Sequence, residues 1–272
     1  MLRARTPLRE SEFMSPYRSS IRAALPDTAS ARVAGIALPS GLRVPSSAPC
    51  LWVSADRVRD VGPMACRLAA AFESTGLWPL VLEDLAHDTP RPWLTDELEP
   101  RATQPAPVPV AAALAAMWDF VIPDPEEGDD ALELLAPFDR RFPGLAPAAA
   151  ALPRPRALET ALASAEGRLG LVAVSRPAEV VASIGWLGAA NYFDDLAGLT
   201  AVLRSWEVRF GAVLVGVGFD TLTLAVAKPP TDLAMATAIA VEHFAVCSDV
   251  VGSIGAYATD LVDAGSWTFW WD

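Results

Sequence analysis

Between Leu196 and Cys247 the hydrophobic periodicity changes twice, and each change comes with residues that enforce it. Leu196, Leu199, Leu203, Trp206 and Phe210 recur at three- and four-residue steps, the period of a helix with one apolar face. Asp194 and Asp195 stand where an N-cap and first-turn acids belong, and Gly211 predicts the C-terminal stop. Ala212–Val217 is then a short apolar run, Gly218-Phe219-Asp220 is turn-like, and Leu222, Leu224 and Val226 alternate with Thr221, Thr223 and Ala225. Together these predict a β-hairpin. Lys228-Pro229-Pro230 cannot extend a central strand, and Thr231 or Asp232 caps a helix running to about Cys247.

The rest of the chain divides by composition. Residues 1–30 are polar and rich in Arg, Ser and Pro, which predicts a flexible N-terminus, with Met14 a second candidate start. Residues 31–155 form an N-terminal α/β region. Cys50–Ser54 is a strand, Gly62–Thr75 a helix stopped by Gly76, and Trp78–Leu82 a second strand, which Pro79 assigns to an edge or to the start of pairing. That is a β-α-β unit of about thirty residues. Glu83–Asp130 is acidic and Pro-rich, a surface excursion with one short helix at Val110–Asp119, and Pro123–Pro155 is a covering segment and linker. Residues 156–272 form a C-terminal α/β domain. A helix at Arg156–Glu166, a strand at Leu169–Val174 and a short helix at Pro177–Ile184 lead into the helix–hairpin–helix. A helix near Ile254–Val262 and a final strand Trp267–Trp271 close the chain. The order β-α-β-β-α-β predicts the α/β (α+β) class, with a ferredoxin-like split β-α-β sandwich whose last strand lies at an edge.

With 52% hydrophobic residues over 272, the chain can bury a core, and no apolar run reaches the length that spans a bilayer. The N-terminal arginines lack the apolar stretch of a signal peptide, so a cytoplasmic, membrane-free protein is expected. The formal net charge is −12, and Lys228 is the only lysine among 21 basic residues. Such a surface repels phosphate backbones and argues against nucleic-acid binding. Cys50, Cys66 and Cys247 are odd in number and widely spaced, which implies neither a disulfide framework nor a zinc site.

LGLVAVSRP, RSWEVRFGAVLVGVGFDTLTLAVAKPP, EHFAVCSD and the terminal WTFWWD together resemble the bacterial family called domain of unknown function 4253, over roughly Leu169–Asp272. The upstream LWVS, STGLWPLVL and RPW look like the N-terminal extension of actinobacterial members. The resemblance implies no assigned activity, cofactor or catalytic residue.

Two sets of residues stand out. His243 and Cys247 are four apart and share a helix face, so with Glu207, Asp220 and Asp249 they could form a cysteine–histidine nucleophile or a metal site. Against this, Ala236, Ala240, His243 and Cys247 make a small-residue stripe that suits packing. Two ligands alone do not hold a metal, and the other histidine, His87, is far away in sequence. Asp220 in its turn suits a bond to its own backbone, and Glu207 suits an ion pair with a neighbouring arginine. Neither Gly216-Val217-Gly218 nor Gly252-Ser253-Ile254-Gly255 fits a phosphate loop or a nucleophile elbow. The second set is aromatic: Trp267, Trp270 and Trp271 in the terminal strand, with Trp93 in Arg91-Pro92-Trp93. These are either core-sealing residues or anchors for a partner. Two functions follow. One is a non-enzymatic module without cofactor or metal that binds a protein partner, with a basic partner suiting the acidic charge and immunity against a toxin as one concrete form. The other is an enzyme or small-molecule binder built around Glu207, Asp220, His243, Cys247 and Asp249.

Overall fold

The computed structural model describes residues 17–21, 23–27, 31–45, 49–85, 89–100, 104–122, 133–193 and 196–272. Met14, His87 and the capping positions Asp194 and Asp195 lie outside these, as do most of the residues expected to form the flexible N-terminus. The described part of that stretch is packed. Tyr17 lies edge-on to Trp78 at 4.9 Å, and Ser19 donates to the Glu73 carbonyl at 3.0 Å.

The strands are β1 (Arg32–Val33), β2 (Ile36–Ala37), β3 (Gly41–Val44), β4 (Leu51–Ser54), β5 (Leu77–Leu82), β6 (Arg168–Ala173), β7 (Ala212–Val217), β8 (Thr221–Val226) and β9 (Ser266–Trp270). β1 and β2 pair with each other, and the other seven form one sheet in the order β3-β4-β6-β5-β7-β8-β9. Every pairing is antiparallel except β5 with β7. The class is mixed α/β.

The split β-α-β motif is present, but the strands that make it differ from the expected ones. β4, helix α1 (Val61–Ala70), the short α2 (Phe72–Thr75) and β5 form the β-α-β unit, and β6 from the C-terminal half slots antiparallel between β4 and β5. β5 in turn separates β6 from β7, so strands from before and after residue 155 interleave in a single sheet. The expected separate C-terminal sandwich therefore gives way to a seven-stranded sheet. β5, at the centre of this sheet, is buried along its whole length, as a strand covered on both faces is.

Pro79 was expected to mark an edge or the start of pairing; the strand is not at an edge, and Pro79 sits opposite Leu171 with pairing to β7 starting beyond it. The sheet tolerates it because pairing of β5 with β7 is confined to Val81 and Leu82, beyond the proline. The Leu214 carbonyl of β7 instead accepts the Trp78 indole N–H at 2.7 Å. A buried acceptor is thereby satisfied without the backbone donor that proline lacks.

Helices then follow the sequence pattern closely. α3 (Val110–Val121), α4 (Ala157–Ala161), α5 (Val180–Ile184), α6 (Ala197–Phe210), α7 (Leu233–Val246) and α8 (Ile254–Leu261) all occur near their expected positions, α4 being shorter. Gly76 and Gly211 end α2 and α6 in left-handed conformation, at φ 65° and 59°. Asp232 caps α7 by accepting the Met235 N–H at 2.9 Å. α1 packs on β5, α6 on β7, and α7 lies against α3 and α8. The segment expected as a linker works as a strap: the Ala149 N–H bonds the Arg209 carbonyl, and the Arg154 N–H bonds that of Ala227. β9 is an edge strand, as expected, with Trp267 and Phe269 inward and Thr268 and Trp270 outward.

Candidate functional site

α7 is apolar nearly all round, and from Ile239 to Val246 every residue is buried. His243 is drawn by that burial into an aromatic cage. The rings of Trp267, Trp206 and Phe269 stand 4.5, 4.9 and 4.9 Å from the imidazole. Nδ1 lies 3.1 Å from the Tyr257 hydroxyl, and Nε2 makes no hydrogen bond. Burial, assisted by the nearby positive charge of Arg209, pushes its pKa down to about 3. At neutral pH it is an uncharged ring sealed from solvent.

Cys247 lies one residue past the end of α7. Its thiol donates to the Trp270 carbonyl at 2.9 Å, and burial pushes its pKa up to about 12. A thiol so held supplies no thiolate at neutral pH. His243 and Cys247 thus make two separate contacts, which suits the packing reading of the pair rather than a nucleophile with its base.

The three acids do not join them in a cleft. Glu207, on α6, is buried beside Arg176, with 3.5 Å between Oε1 and Nη2, and accepts the Ala178 N–H at 3.3 Å. Asp220 accepts the Trp270 indole N–H at 3.1 Å through Oδ2, and its carbonyl accepts the Trp271 N–H. Asp249 accepts the Tyr192 hydroxyl at 2.7 Å and the Asp272 N–H at 3.1 Å. Asp220, Cys247 and Asp249 thus gather round Trp270–Asp272 and hold the end of the chain in place. Among the described residues no group of three or more His, Cys, Asp and Glu side chains is placed to hold a metal ion.

A second buried ion pair escaped sequence reasoning. Glu242 is fully buried and accepts Arg209 Nη1 and Nη2, the Trp206 indole and the Ala146 N–H, each at 2.7 Å. Its oxygens are satisfied by four donors, so its role is to clamp α6, α7 and the strap together. The signal in the sequence is a glutamate within the largely apolar run Ala236–Val246.

Three of the four nominated tryptophans are core. Trp93, Trp267 and Trp271 are buried, with the Trp93 indole on the Glu83 carbonyl and that of Trp271 on the Val246 carbonyl. Trp270 differs: it remains 43% exposed at the sheet edge, fixed by Asp220. The neighbouring surface is acidic and partly apolar. Next to Asp220, Phe219 lines a groove of about 270 Å³ with Asp96, Glu97, Glu99 and the exposed Leu187. Arg91 sits over the Phe219 ring at 5.0 Å and binds Glu97 through two contacts of 2.6 Å. Those hydrogen bonds, with one from Thr95, hold the Glu97 carboxyl down to about 2, so it is ionised throughout the physiological range.

Residues 168–272 match the family model described as Domain of unknown function (DUF4253). The match begins at β6 and so includes β6 to β9 but not β5, the strand that joins β6 to β7. Residues before 168 lie outside the matched domain, consistent with an N-terminal extension. No curated protein and no solved structure matches the chain. Among the described residues no helix is long and apolar enough to cross a membrane.

Proposed function

We propose that the protein is a cytoplasmic, non-catalytic interaction module that takes a basic protein partner on the acidic face around Trp270. The observation that carries this reading is the exposure of Trp270, 43% in a chain whose other terminal-strand aromatics are buried, bonded to Asp220, whose neighbour Phe219 lines a groove with Asp96, Glu97 and Glu99. A tryptophan held rigid at one end by Asp220 loses little freedom on docking, which suits an anchor residue. Carboxylates around it would steer a cationic surface and favour its capture. A cationic toxin, neutralised by an immunity-type contact, is one partner of this chemistry. The enzymatic alternative loses support because His243 is sealed and Cys247 is protonated.

The test is affinity capture from the host lysate with wild type, Trp270→Ala and Glu99→Lys, followed by titration with the purified captured protein. A near-stoichiometric basic partner is expected. Its Kd should rise about thirtyfold in Trp270→Ala, as for an anchor worth about 2 kcal/mol. Binding should also weaken with salt and in Glu99→Lys. A partner bound equally by all three proteins, or none at all, would refute the reading.

A further inference from the structure

Helix α6 and the extended segment Gln104–Pro109 enclose a cavity of about 660 Å³ that shares no lining residue with the acidic groove. Pro105 to Pro109 form an apolar wall, and α6 contributes Thr200, Ala201, Arg204 and Val208. Gln104 anchors the segment through hydrogen bonds to Ser183 Oγ at 2.5 Å and the Glu179 carbonyl at 3.4 Å.

The polar part of this cavity is unusual for a chain of net charge −12. Arg176 lines it with a side chain only 4% exposed, and neither Nη1 nor Nη2 makes a hydrogen bond. Thr200 Oγ1, also buried, has no hydrogen-bond partner either. Glu207 balances the Arg176 charge as an ion pair at 3.5 Å but leaves Nη1 and Nη2 without a hydrogen bond. Burial holds the Arg176 pKa below its ordinary value; Glu207 opposes this, Arg204 and Arg18 add repulsion, and Glu179 opposes weakly. Two of the remaining charges of the wall are committed elsewhere. Arg209 is locked onto Glu242, and Glu179 takes the Ser175 hydroxyl and N–H. Arg204 is exposed at the wall and forms no ion pair among the described residues. Idle donors beside a cavity mark a place where an acceptor belongs.

We propose that this cavity binds a small carboxylate carried on an apolar body. Turned into the cavity, Arg176 offers a planar guanidinium that matches a carboxylate in two-point contact, Thr200 offers a hydroxyl donor, and Arg204 supplies a second positive charge. The apolar body lies along Pro105–Pro109, where bare phosphate would find no complementary surface. Nη1 and Nη2 are shielded from bulk water, so binding turns the Arg176 side chain into the cavity or draws the proline wall outward.

Calorimetric titration of the full-length protein with octanoate, 1-octanol and inorganic phosphate tests this. Octanoate is expected to bind at least tenfold more tightly than either comparison compound. Two variants locate the site: Ala201→Trp fills the cavity without touching the arginines, and Arg176→Met combined with Glu207→Gln removes the charge without leaving its partner unpaired. Each should weaken octanoate at least tenfold. Should the double variant fail to fold, Ala201→Trp decides by itself. Absence of octanoate binding to wild type overturns the proposal. So does octanol or phosphate binding as tightly as octanoate, or octanoate affinity unchanged in the folded variants.

Discussion

Acidification should unfold this protein through His243, and the size of the effect follows from its surroundings. The imidazole is fully enclosed by Trp206, Trp267 and Phe269, which holds its pKa at about 3 against an ordinary value near 6.5. In the unfolded chain the ring regains the ordinary value, so between those two pH values the unfolded state binds the proton and the folded state does not. Stability is therefore intact above about pH 6.5 and falls as the pH drops toward 3. The full gap corresponds to about 5 kcal/mol at 1.36 kcal/mol per pH unit, and at pH 4.5 about 2–3 kcal/mol should already be lost. Carboxylates titrate in the same range, so the signal is the difference between wild type and His243→Phe, which keeps an aromatic ring in the cage and cannot take a proton. Urea unfolding followed by tryptophan fluorescence from pH 7.5 to 4.5 measures it. The wild type should lose about 2–3 kcal/mol more than the variant over that range. Parallel curves would refute the claim that His243 is sealed and neutral.

Three further outcomes are expected. Glu242→Gln replaces an acceptor of four hydrogen bonds and leaves the largely buried Arg209 without its counter-charge, which should cost about 3–5 kcal/mol. In a thermal scan that is about 6–20 °C in Tm, and a change under about 1 kcal/mol would mean that water reaches the pair. Cys50 and Cys247, both pushed up to about 12 by burial, should resist a thiol-labelling reagent at pH 8 in the native protein and react once it is denatured. Prompt native labelling of either would contradict the packing. Trp267→Ala should destabilise by about 3–5 kcal/mol, whereas Trp270→Ala at the half-exposed edge position should cost about 1–2 kcal/mol, read as shifts in urea midpoint. The reverse order would place the wrong face of β9 in the core.

Local structure was legible because it depends on near neighbours. The period of Leu199, Leu203, Trp206 and Phe210 specifies a helix face; Gly211 ends the helix where a left-handed residue is needed; Asp232 caps the next one. The alternation in Trp267–Trp271 likewise fixed which aromatics point inward, and left Trp270 outside. Site residues were harder to judge. His243 and Cys247 do share a helix turn, but spacing along a helix does not reveal the atoms that close over it. Burial under Trp206, Trp267 and Phe269, assisted by Arg209, keeps His243 neutral, and the Trp270 carbonyl engages Cys247.

Strand order was beyond local reading altogether. Pairing of β6 with both β4 and β5 joins segments about ninety to one hundred and twenty residues apart, and nothing in the pattern of a buried strand names its neighbour. The buried charges belong to the same class. Glu207 was expected to pair with a neighbouring arginine, but its partner is the distant Arg176, and Glu242 is claimed by Arg209 and the Ala146 strap from other parts of the chain. Composition, helix caps, turn positions and the inward face of each element are properties of the sequence itself, because short-range sterics and burial period set them. Which strands interleave, which charges are enclosed and what closes over His243 and Cys247 were decided only by tertiary structure, because each depends on contacts between residues that the sequence keeps far apart.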